Sequence, residues 1–309
     1  MNKTNQPDTA VTLCGQRLKN PVITASGTFG FGYEMSKYFD LNLLGGLSMK
    51  GTTVAPRFGN PTPRIAECTG GLLNSVGLQN PGVDLVLAEE MPRLRKSYDG
   101  TVIANISGFS VDEYVEVSRK FDQAEGVDLL EINISCPNVK HGGMAFGTSA
   151  AAAAEVVRTV RRLVKKPMLV KLSPNVTSII EIAKACQAEG ADGLVVANTL
   201  LGMRIEPATG RPIVSTATCG FSGPAVKPVI LRMVYEVCGA VSIPVIGVGG
   251  IATADDVLEY ISAGATAVQV GSQTLVEPTA CKTIIETLPV LMAVYGIQSL
   301  EGIRGRARV

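Results

Sequence analysis

The residue best suited to chemistry in this chain is Cys136, which lies in the stretch LLEINISCPNVKHGG from Leu129 to Gly143. Apolar and polar residues alternate from Leu130 to Ser135, which predicts a strand with one apolar and one polar face. Pro137 cannot continue a strand ladder, and the glycine pair that follows favours a loop. Cys136 is therefore predicted at the C-terminal tip of a strand, where parallel α/β proteins carry active sites. A buried structural cysteine is the alternative, since free cysteines commonly pack in cores.

Polar side chains also occur near the C-terminal ends of several other predicted strands. They are Lys50, Asn105, Asn133, Lys171 and Asn198. Leaving five such groups buried without partners would cost on the order of several kcal/mol in total. A polar ligand at this end of the sheet would satisfy them, so we expect a binding site there.

Glycines follow the last two predicted strands. Gly247-Val-Gly249-Gly250 comes after one strand and Gly271-Ser272 after the next, each before a helical pattern. Such a backbone can approach an oxyanion closely, and a helix N-terminus favours negative charge, so the pair predicts a phosphate site. Tight turns between strand and helix are the structural alternative. The first run also fits G-x-G-x-x-A, but that dinucleotide pattern opens a first βαβ unit rather than following a seventh strand.

A phosphate site, several amides, two lysines and a cysteine together fit flavin mononucleotide (FMN). A lysine beside the flavin ring would stabilise negative charge at the N1–C2=O edge of the reduced form. Alternatively, Lys171 could be the Schiff-base lysine of an aldolase. That reading explains the phosphate site but leaves Cys136 and the asparagines without a role.

These residues need a scaffold that brings strand ends together, and the sequence patterns predict one. Strands are predicted at Val22–Ala25, Gly46–Lys50, Val102–Ser107, Leu129–Ser135, Met168–Ser173, Gly193–Asn198, Pro244–Val248 and Ala267–Gly271. Helices are predicted at Val111–Glu125, Ser149–Val164, Ser178–Glu189, Pro224–Val237, Ala254–Ala263 and Glu277–Ala293. Eight strands alternating with helices predict an α/β protein with a (β/α)8 TIM barrel, formed by residues 1–309 as one domain. A doubly wound open sheet is the alternative, although it usually has fewer strands.

Three segments fall outside this alternation. The segment from Val11 to Leu18 predicts a hairpin that could close the bottom of the barrel. Thr52–Lys96 is rich in glycine, proline and asparagine and is too long for an ordinary loop, so we expect it to carry substrate contacts at the C-terminal face. Leu200–Gly223 is a second irregular insertion, with an expected role as a lid or crossover.

The composition restricts the class of function. The 309 residues are 46% hydrophobic and 18% charged, with a formal net charge of +1, which argues against nucleic acid as a partner. Seven scattered cysteines without a C-x-x-C pair indicate reduced thiols and no zinc or iron–sulfur site. The single histidine, His141, is expected in an exposed loop outside the site. Neither a secretory signal nor a membrane-length apolar run is visible, so we expect a cytoplasmic protein without membrane association.

An ordered set of motifs resembles the class 1 dihydroorotate dehydrogenases, FMN-containing enzymes of pyrimidine synthesis. The motifs are SMKGTT around Lys50, RFGNPTPRIAE, NSVGLQNPG from Asn74 to Gly82, EINISCPN, KLSPN, ANT from Ala197 to Thr199, VGG and GS. Each motif is weak alone, but together they cover nearly the whole chain. The RFGNPTPR and LQNPG forms are more similar to the NAD-dependent class 1B enzymes than to the fumarate-using class 1A.

The resemblance implies a role for each matching residue. Cys136 would be the catalytic base that removes the C5 proton of dihydroorotate while hydride leaves C6 for flavin N5. The residues implied in substrate binding are Lys50, Asn74, Ser75, Val76, Gly77, Leu78, Asn133, Asn138, Asn198 and Thr199. The residues implied in FMN binding are Ser26, Lys50, Gly51, Asn105, Asn133, Lys171, Ala197, Gly223, Gly249, Gly250, Gly271 and Ser272. Because an ordinary thiol has a pKa of about 8.5, the rate should rise with pH.

Class 1B enzymes pass electrons from FMN to NAD through a second subunit that carries FAD and a 2Fe–2S cluster, in a heterotetramer built on a homodimer of catalytic subunits. This chain has neither a cluster motif nor a convincing dinucleotide fingerprint, so use of NAD would require that partner. Three alternatives stay open: a class 1A-like homodimer that uses fumarate, an FMN barrel acting on another dihydropyrimidine such as dihydrouracil, and a non-redox aldolase or binding protein.

Overall fold

The computed structural model describes residues 7–135 and 146–308, and its first element is the predicted hairpin. Strands β1 (Val11–Leu13) and β2 (Gln16–Leu18) pair antiparallel. The side chains of Leu13 and Leu18 are buried, and the Cys14 thiol donates a hydrogen bond to the carbonyl oxygen of Asp192 at 3.3 Å. Because Asp192 immediately precedes a barrel strand, the hairpin closes the N-terminal end of the barrel, as predicted.

Eight parallel strands form a closed barrel. They are β3 (Val22–Thr24), β4 (Gly46–Ser48), β7 (Val102–Ile106), β8 (Leu129–Asn133), β9 (Met168–Lys171), β10 (Gly193–Val196), β15 (Val245–Gly247) and β16 (Ala267–Val270). Each strand pairs with the next in this series, and β16 pairs with β3 to close the ring. The predicted (β/α)8 barrel is therefore confirmed, and the open sheet is excluded because an open sheet would have two unpaired edges.

Helices surround the barrel. They are α1 (Val83–Leu85), α2 (Met91–Arg95), α3 (Val111–Gln123), α4 (Ala150–Arg161), α5 (Ile179–Ala188), α6 (Lys227–Ala240), α7 (Ala254–Ala263), α8 (Gln273–Val276), α9 (Ala280–Val294) and α10 (Leu300–Ile303). A π-helical stretch, Val86–Glu90, joins α1 to α2. Ser110, Ser149 and Ser178 each accept a hydrogen bond from a backbone N–H three residues later, which satisfies a donor that a helix start leaves without a partner. Within the described ranges, no helix combines the length and apolar character needed to cross a membrane.

The two long insertions contain ordered strands rather than the irregular structure that their patterns suggested. Strands β5 (Ile65–Cys68), β6 (Gly71–Asn74), β11 (Leu200–Gly202) and β14 (Cys219–Ser222) form an antiparallel sheet in the order β11-β14-β6-β5. A small ribbon of β12 (Ile205–Glu206) and β13 (Arg211–Pro212) extends the second insertion. The sequence did not show these strands because they are short and because β6 and β14 pair across a long separation, with Asn74 opposite Gly220.

Candidate active site

A cavity of about 860 Å³ opens at the C-terminal ends of the barrel strands. Residues that follow the barrel strands line it together with residues of the antiparallel sheet, such as Leu72 and Phe221. The predicted site residues that line it are Ser26, Lys50, Asn74, Val76, Gly77, Leu78, Asn133, Lys171, Ala197, Asn198, Thr199, Gly249, Gly250, Gly271 and Ser272. Residues singled out from seven separate strand ends and from the first insertion thus share one cavity.

Four predicted site residues lie next to the cavity rather than among its described lining residues. Asn105 is fully buried, and a Cβ added at Gly51 would lie 2.8 Å from the Asn105 Oδ1 atom. Ser75 is also fully buried, and its hydroxyl is hydrogen-bonded to Thr216. The carbonyl oxygen of Gly223 contacts the loop that carries the cavity glycines. Any contact of these four with a ligand stays a prediction.

The glycines after β15 and β16 present backbone donors. No hydrogen bond within residues 7–135 and 146–308 uses the backbone N–H of Gly249, Gly250 or Ser272. Gly250 has a φ of +68°, and a Cβ there would lie 2.9 Å from the Gly223 carbonyl oxygen. Only glycine allows this close approach in this conformation. Unused N–H donors on two adjacent strand ends are what a bound phosphate group requires, so this loop pair fits the phosphate of FMN.

An ion-pair cluster anchors the loop after β15. The Lys227 ammonium lies 2.6 Å from Asp256 Oδ1 and 2.9 Å from Glu259 Oε1. Asp256 Oδ2 accepts hydrogen bonds from the backbone N–H groups of Ala252 and Thr253, both at 2.8 Å. Burial opposes ionisation of Asp256, but Lys227 and these N–H groups outweigh it and hold the pKa of Asp256 below its ordinary value. The cluster therefore ties the glycine loop to the starts of α6 and α7.

Polar side chains at the ends of β8 and β10 form a hydrogen-bonded group. Asn133 Oδ1 accepts from the Ser135 hydroxyl at 2.9 Å, and Asn198 Nδ2 donates to the Ser135 Oγ atom at 3.0 Å. Asn198 Oδ1 in turn accepts from the backbone N–H of Thr199 at 2.8 Å. Ser135 is therefore joined to two residues of the cavity wall at the point where the chain enters the predicted catalytic segment.

Three residues named from the sequence, Cys136, Asn138 and His141, lie outside the described residues. Their predicted roles remain predictions.

The loop from Asn74 to Leu78 is held by polar contacts behind it. The backbone N–H of Ser75 donates to the Arg64 carbonyl oxygen at 2.7 Å. Asn80 Nδ2 donates to the Leu78 carbonyl oxygen at 2.7 Å, and Leu78 takes a positive φ of 58°. This support keeps Asn74, Val76, Gly77 and Leu78 at the cavity, where the resemblance assigns them to the substrate.

Sequence reasoning missed Glu131 and Gln269, two fully buried polar residues beneath the cavity. Glu131 lies 3.6 Å from the Lys171 ammonium and accepts a hydrogen bond from Gln269 Nε2 at 2.6 Å. A signal for both was available, because Glu131 shares the polar face of its strand with Asn133 and Gln269 interrupts the apolar strand β16. Sequence reasoning also missed the aromatic lining residues Phe31, Tyr33 and Phe221, whose surroundings carry no comparable pattern.

All six cysteines that the structure describes have thiol pKa values above the ordinary value, and burial is the main cause. Burial raises the pKa values of Cys14, Cys186, Cys238 and Cys281 to about 12. It also raises the pKa values of Cys68 and Cys219. These thiols therefore stay protonated at neutral pH. In the part of the chain that the structure describes, no group of three or more His, Cys, Asp and Glu residues could hold a metal ion.

Comparison with known proteins points to one family. Residues 9–292 match the family described as dihydroorotate dehydrogenase. The chain is 56% identical over 298 residues to the catalytic subunit of dihydroorotate dehydrogenase B (NAD(+)) from Geobacillus kaustophilus (strain HTA426), an alignment that covers 96% of this chain and 95% of that protein. The subunits of the same name from Anoxybacillus flavithermus (strain DSM 21510 / WK1) and Bacillus cereus (strain B4264) are 53% and 52% identical, again over 96% of this chain.

Proposed function

The chain belongs to the dihydroorotate dehydrogenase family, and on that premise we propose that its cavity oxidises dihydroorotate to orotate in pyrimidine biosynthesis, with one FMN per chain. The observation that carries this proposal is the arrangement of the cavity. The backbone N–H groups of Gly249, Gly250 and Ser272, which have no hydrogen-bond partner among the described residues, share it with Lys171 and Asn133. A phosphate site and a cationic, amide-lined surface in one cavity are what a phosphorylated flavin requires.

The lining residues divide by the part of FMN that each would contact. The N–H groups of Gly249, Gly250 and Ser272 would hold the phosphate, and Lys171 would meet the N1–C2=O edge of the ring. The other residues proposed to surround FMN are Ser26, Lys50, Gly51, Asn105, Asn133, Ala197, Gly223 and Gly271. When bound, FMN supplies an acceptor for a hydride.

The remaining polar groups fit the substrate. An asparagine amide can donate and accept at once, which suits the edges of a pyrimidinedione, so Asn74, Asn133 and Asn198 would orient the ring. Lys50 would pair with the carboxylate of dihydroorotate. Cys136 would take the C5 proton while the C6 hydrogen leaves as hydride, so that the two electrons of the C5–H bond form the C5=C6 double bond of orotate.

The acceptor that follows FMN is proposed from the relatives. They are catalytic subunits of NAD(+)-type enzymes, and a catalytic subunit implies a separate partner. We propose that this chain forms a homodimer within a cytoplasmic heterotetramer, whose second subunit carries FAD and a 2Fe–2S cluster and passes electrons to NAD. A homodimer that uses fumarate is the second candidate.

An anaerobic visible spectrum of the purified chain, before and after addition of dihydroorotate, tests the proposal. We expect flavin absorption at close to one FMN per chain and bleaching of that absorption by dihydroorotate but not by dihydrouracil. A flavin spectrum that dihydrouracil bleaches and dihydroorotate leaves intact would indicate another substrate. A colourless chain that does not take up added FMN would exclude a flavoenzyme.

The same sample, once bleached, identifies the acceptor. If the class 1B assignment is correct, added NAD leaves the isolated chain bleached, and the flavin absorption returns with NAD only after the partner subunit is added. Rapid return of absorption with fumarate alone would instead support the class 1A-like homodimer.

A further inference from the structure

A single carboxylate joins five barrel strands beneath the cavity. Glu131 of β8 has no exposed surface. Its carboxylate oxygens lie near side chains of β4, β7, β9 and β16, namely Ser48 at 3.5 Å, Asn105 at 2.5 Å, Lys171 at 3.6 Å and Gln269 at 2.6 Å. Of these five residues, Lys171 is the one among the described lining residues of the cavity. Any effect of Glu131 on a bound ligand must therefore pass through its neighbours.

The carboxylate determines how the neighbouring amides face, because an ionised carboxylate can only accept hydrogen bonds. Asn105 and Gln269 both turn their NH2 groups toward Glu131, so their carbonyl oxygens face away from it. Gln269 Oε1 accepts from the Lys171 ammonium at 3.2 Å, and Asn105 Oδ1 accepts from Asn133 Nδ2 at 3.4 Å. The Glu131 carboxylate, which lies beneath the cavity, therefore orients both Asn133 of β8 and Lys171 of β9.

Glu131 also forms an ion pair with Lys171. Lys171 is 5% exposed, and an ammonium ion at that depth needs a counter-ion. Among the described residues, β8 presents Glu131 to it, β16 presents the neutral amide of Gln269, and Val195 of β10 is its register partner. Lys50 is the other lysine that lines the cavity. The ammonium donates a hydrogen bond to Gln269 Oε1 at 3.2 Å and lies 3.6 Å from Glu131 Oε1, and its three donors allow a further hydrogen bond to a ligand.

We infer that Glu131 is a positioning residue of this site, which pairs with Lys171, aims it at the cavity and orients Asn133 through Asn105. The inference rests on the proposed function, because Lys171 and Asn133 are assigned there to FMN. Buried lysines without a counter-ion lose their proton at lower pH than exposed ones. In Glu131→Gln, an FMN contact that needs the ammonium should therefore weaken as the pH rises.

The test is the dissociation constant of FMN from the apoprotein, measured by quenching of flavin fluorescence from about pH 7 to about pH 9.5. We expect the wild-type constant to vary by less than about twofold. In Glu131→Gln it should rise about five- to tenfold across this range, because a hydrogen bond from a charged donor is roughly twice as strong as one from a neutral donor. Lys171→Met should bind FMN more weakly at every pH without this trend, and adding Glu131→Gln to it should not introduce the trend, because the lysine that loses its proton is then absent.

Two further variants separate positioning from simple loss of structure. Glu131→Asp keeps the charge, so its pH trend should lie between those of wild type and Glu131→Gln. If Glu131→Gln does not fold, the pH trend of FMN binding in Glu131→Asp tests the inference instead. Glu286→Gln removes one carboxylate from the exposed side of α9 and should bind FMN like wild type.

Two results would overturn the inference alone. One is a wild-type pH trend in both Glu131 variants. The other is a rise of the dissociation constant with pH that Glu131→Gln still produces when Lys171 is replaced by methionine. A wild-type chain that binds no FMN would overturn the proposed function and this inference with it.

Discussion

Replacing Gly250 with alanine probes whether the loop after β15 is built to bring backbone donors to a phosphate. Gly250 has a φ of +68°, a conformation that costs an L-residue with a side chain about 1–2 kcal/mol. The new Cβ would also lie 2.9 Å from the Gly223 carbonyl oxygen and 2.7 Å from Lys227 Cβ. The first neighbour is backbone, and the second belongs to a residue held by two ion pairs, so the loop must move. Overpacking of this kind costs about 1–3 kcal/mol.

The consequence for FMN follows from the donors that would move. Gly249 and Gly250 would no longer place both N–H groups against the phosphate, and one hydrogen bond to a charged group contributes about 1.5–3 kcal/mol. We therefore expect the dissociation constant of FMN to rise about 10- to 150-fold in Gly250→Ala. Titration of the apoprotein with FMN, followed by flavin fluorescence, measures this change, and thermal unfolding of the same apoprotein measures the cost to stability.

Gly210→Ala is the matched control. Gly210 has a φ of +65°, nearly that of Gly250, but a Cβ there meets nothing within 4 Å, and the residue lies in the turn between β12 and β13. The control therefore carries the conformational cost without the close approach to a neighbouring loop. If Gly250→Ala binds FMN within about threefold of Gly210→Ala, and unfolds at the same temperature, the reasoning about the glycine loop is refuted.

Three further predictions concern the substrate, the base and the ion pairs. Lys50→Met should lower kcat/KM for dihydroorotate by about 10- to 150-fold, the loss of one charge-assisted contact, and should affect dihydrouracil far less; equal losses would argue against a carboxylate partner for Lys50. If Cys136 is the base, the rate of flavin reduction should rise between about pH 6 and 9, and a flat profile would contradict the assignment. Because the pKa of Asp256 is lowered in the folded protein, its contribution to stability is present above the unfolded pKa and is lost as the pH falls through the folded one. Asp256→Asn should therefore lower the urea midpoint at neutral pH, and its difference from wild type should shrink below about pH 4, whereas a constant difference would contradict the ion-pair account.

Local patterns were sufficient for the barrel because each barrel strand is a short, buried and mostly apolar run. All eight predicted strands and the hairpin are present, and Lys50, Asn133, Lys171 and Asn198 reach one cavity as their positions at strand ends predicted. The antiparallel sheet was not predictable in this way. Its strands have three or four residues, and Asn74 pairs with Gly220 through contacts that no local period encodes.

The sequence by itself determined the family, the barrel and the kinds of residue at the strand ends, because these depend on periodicity and on motifs within short windows. Only the tertiary structure decided how those residues are held. The alternation in β8 marks Glu131 as polar, but only closure of the barrel brings it to Gln269 of β16, which lies 138 residues away in the chain. Likewise, glycine at position 250 suggested a turn, and only the packing of the Gly223 backbone against it shows why a side chain is excluded there. The physical reason is the same in both cases, because a buried charge and a close backbone approach are properties of neighbours in space rather than neighbours in sequence.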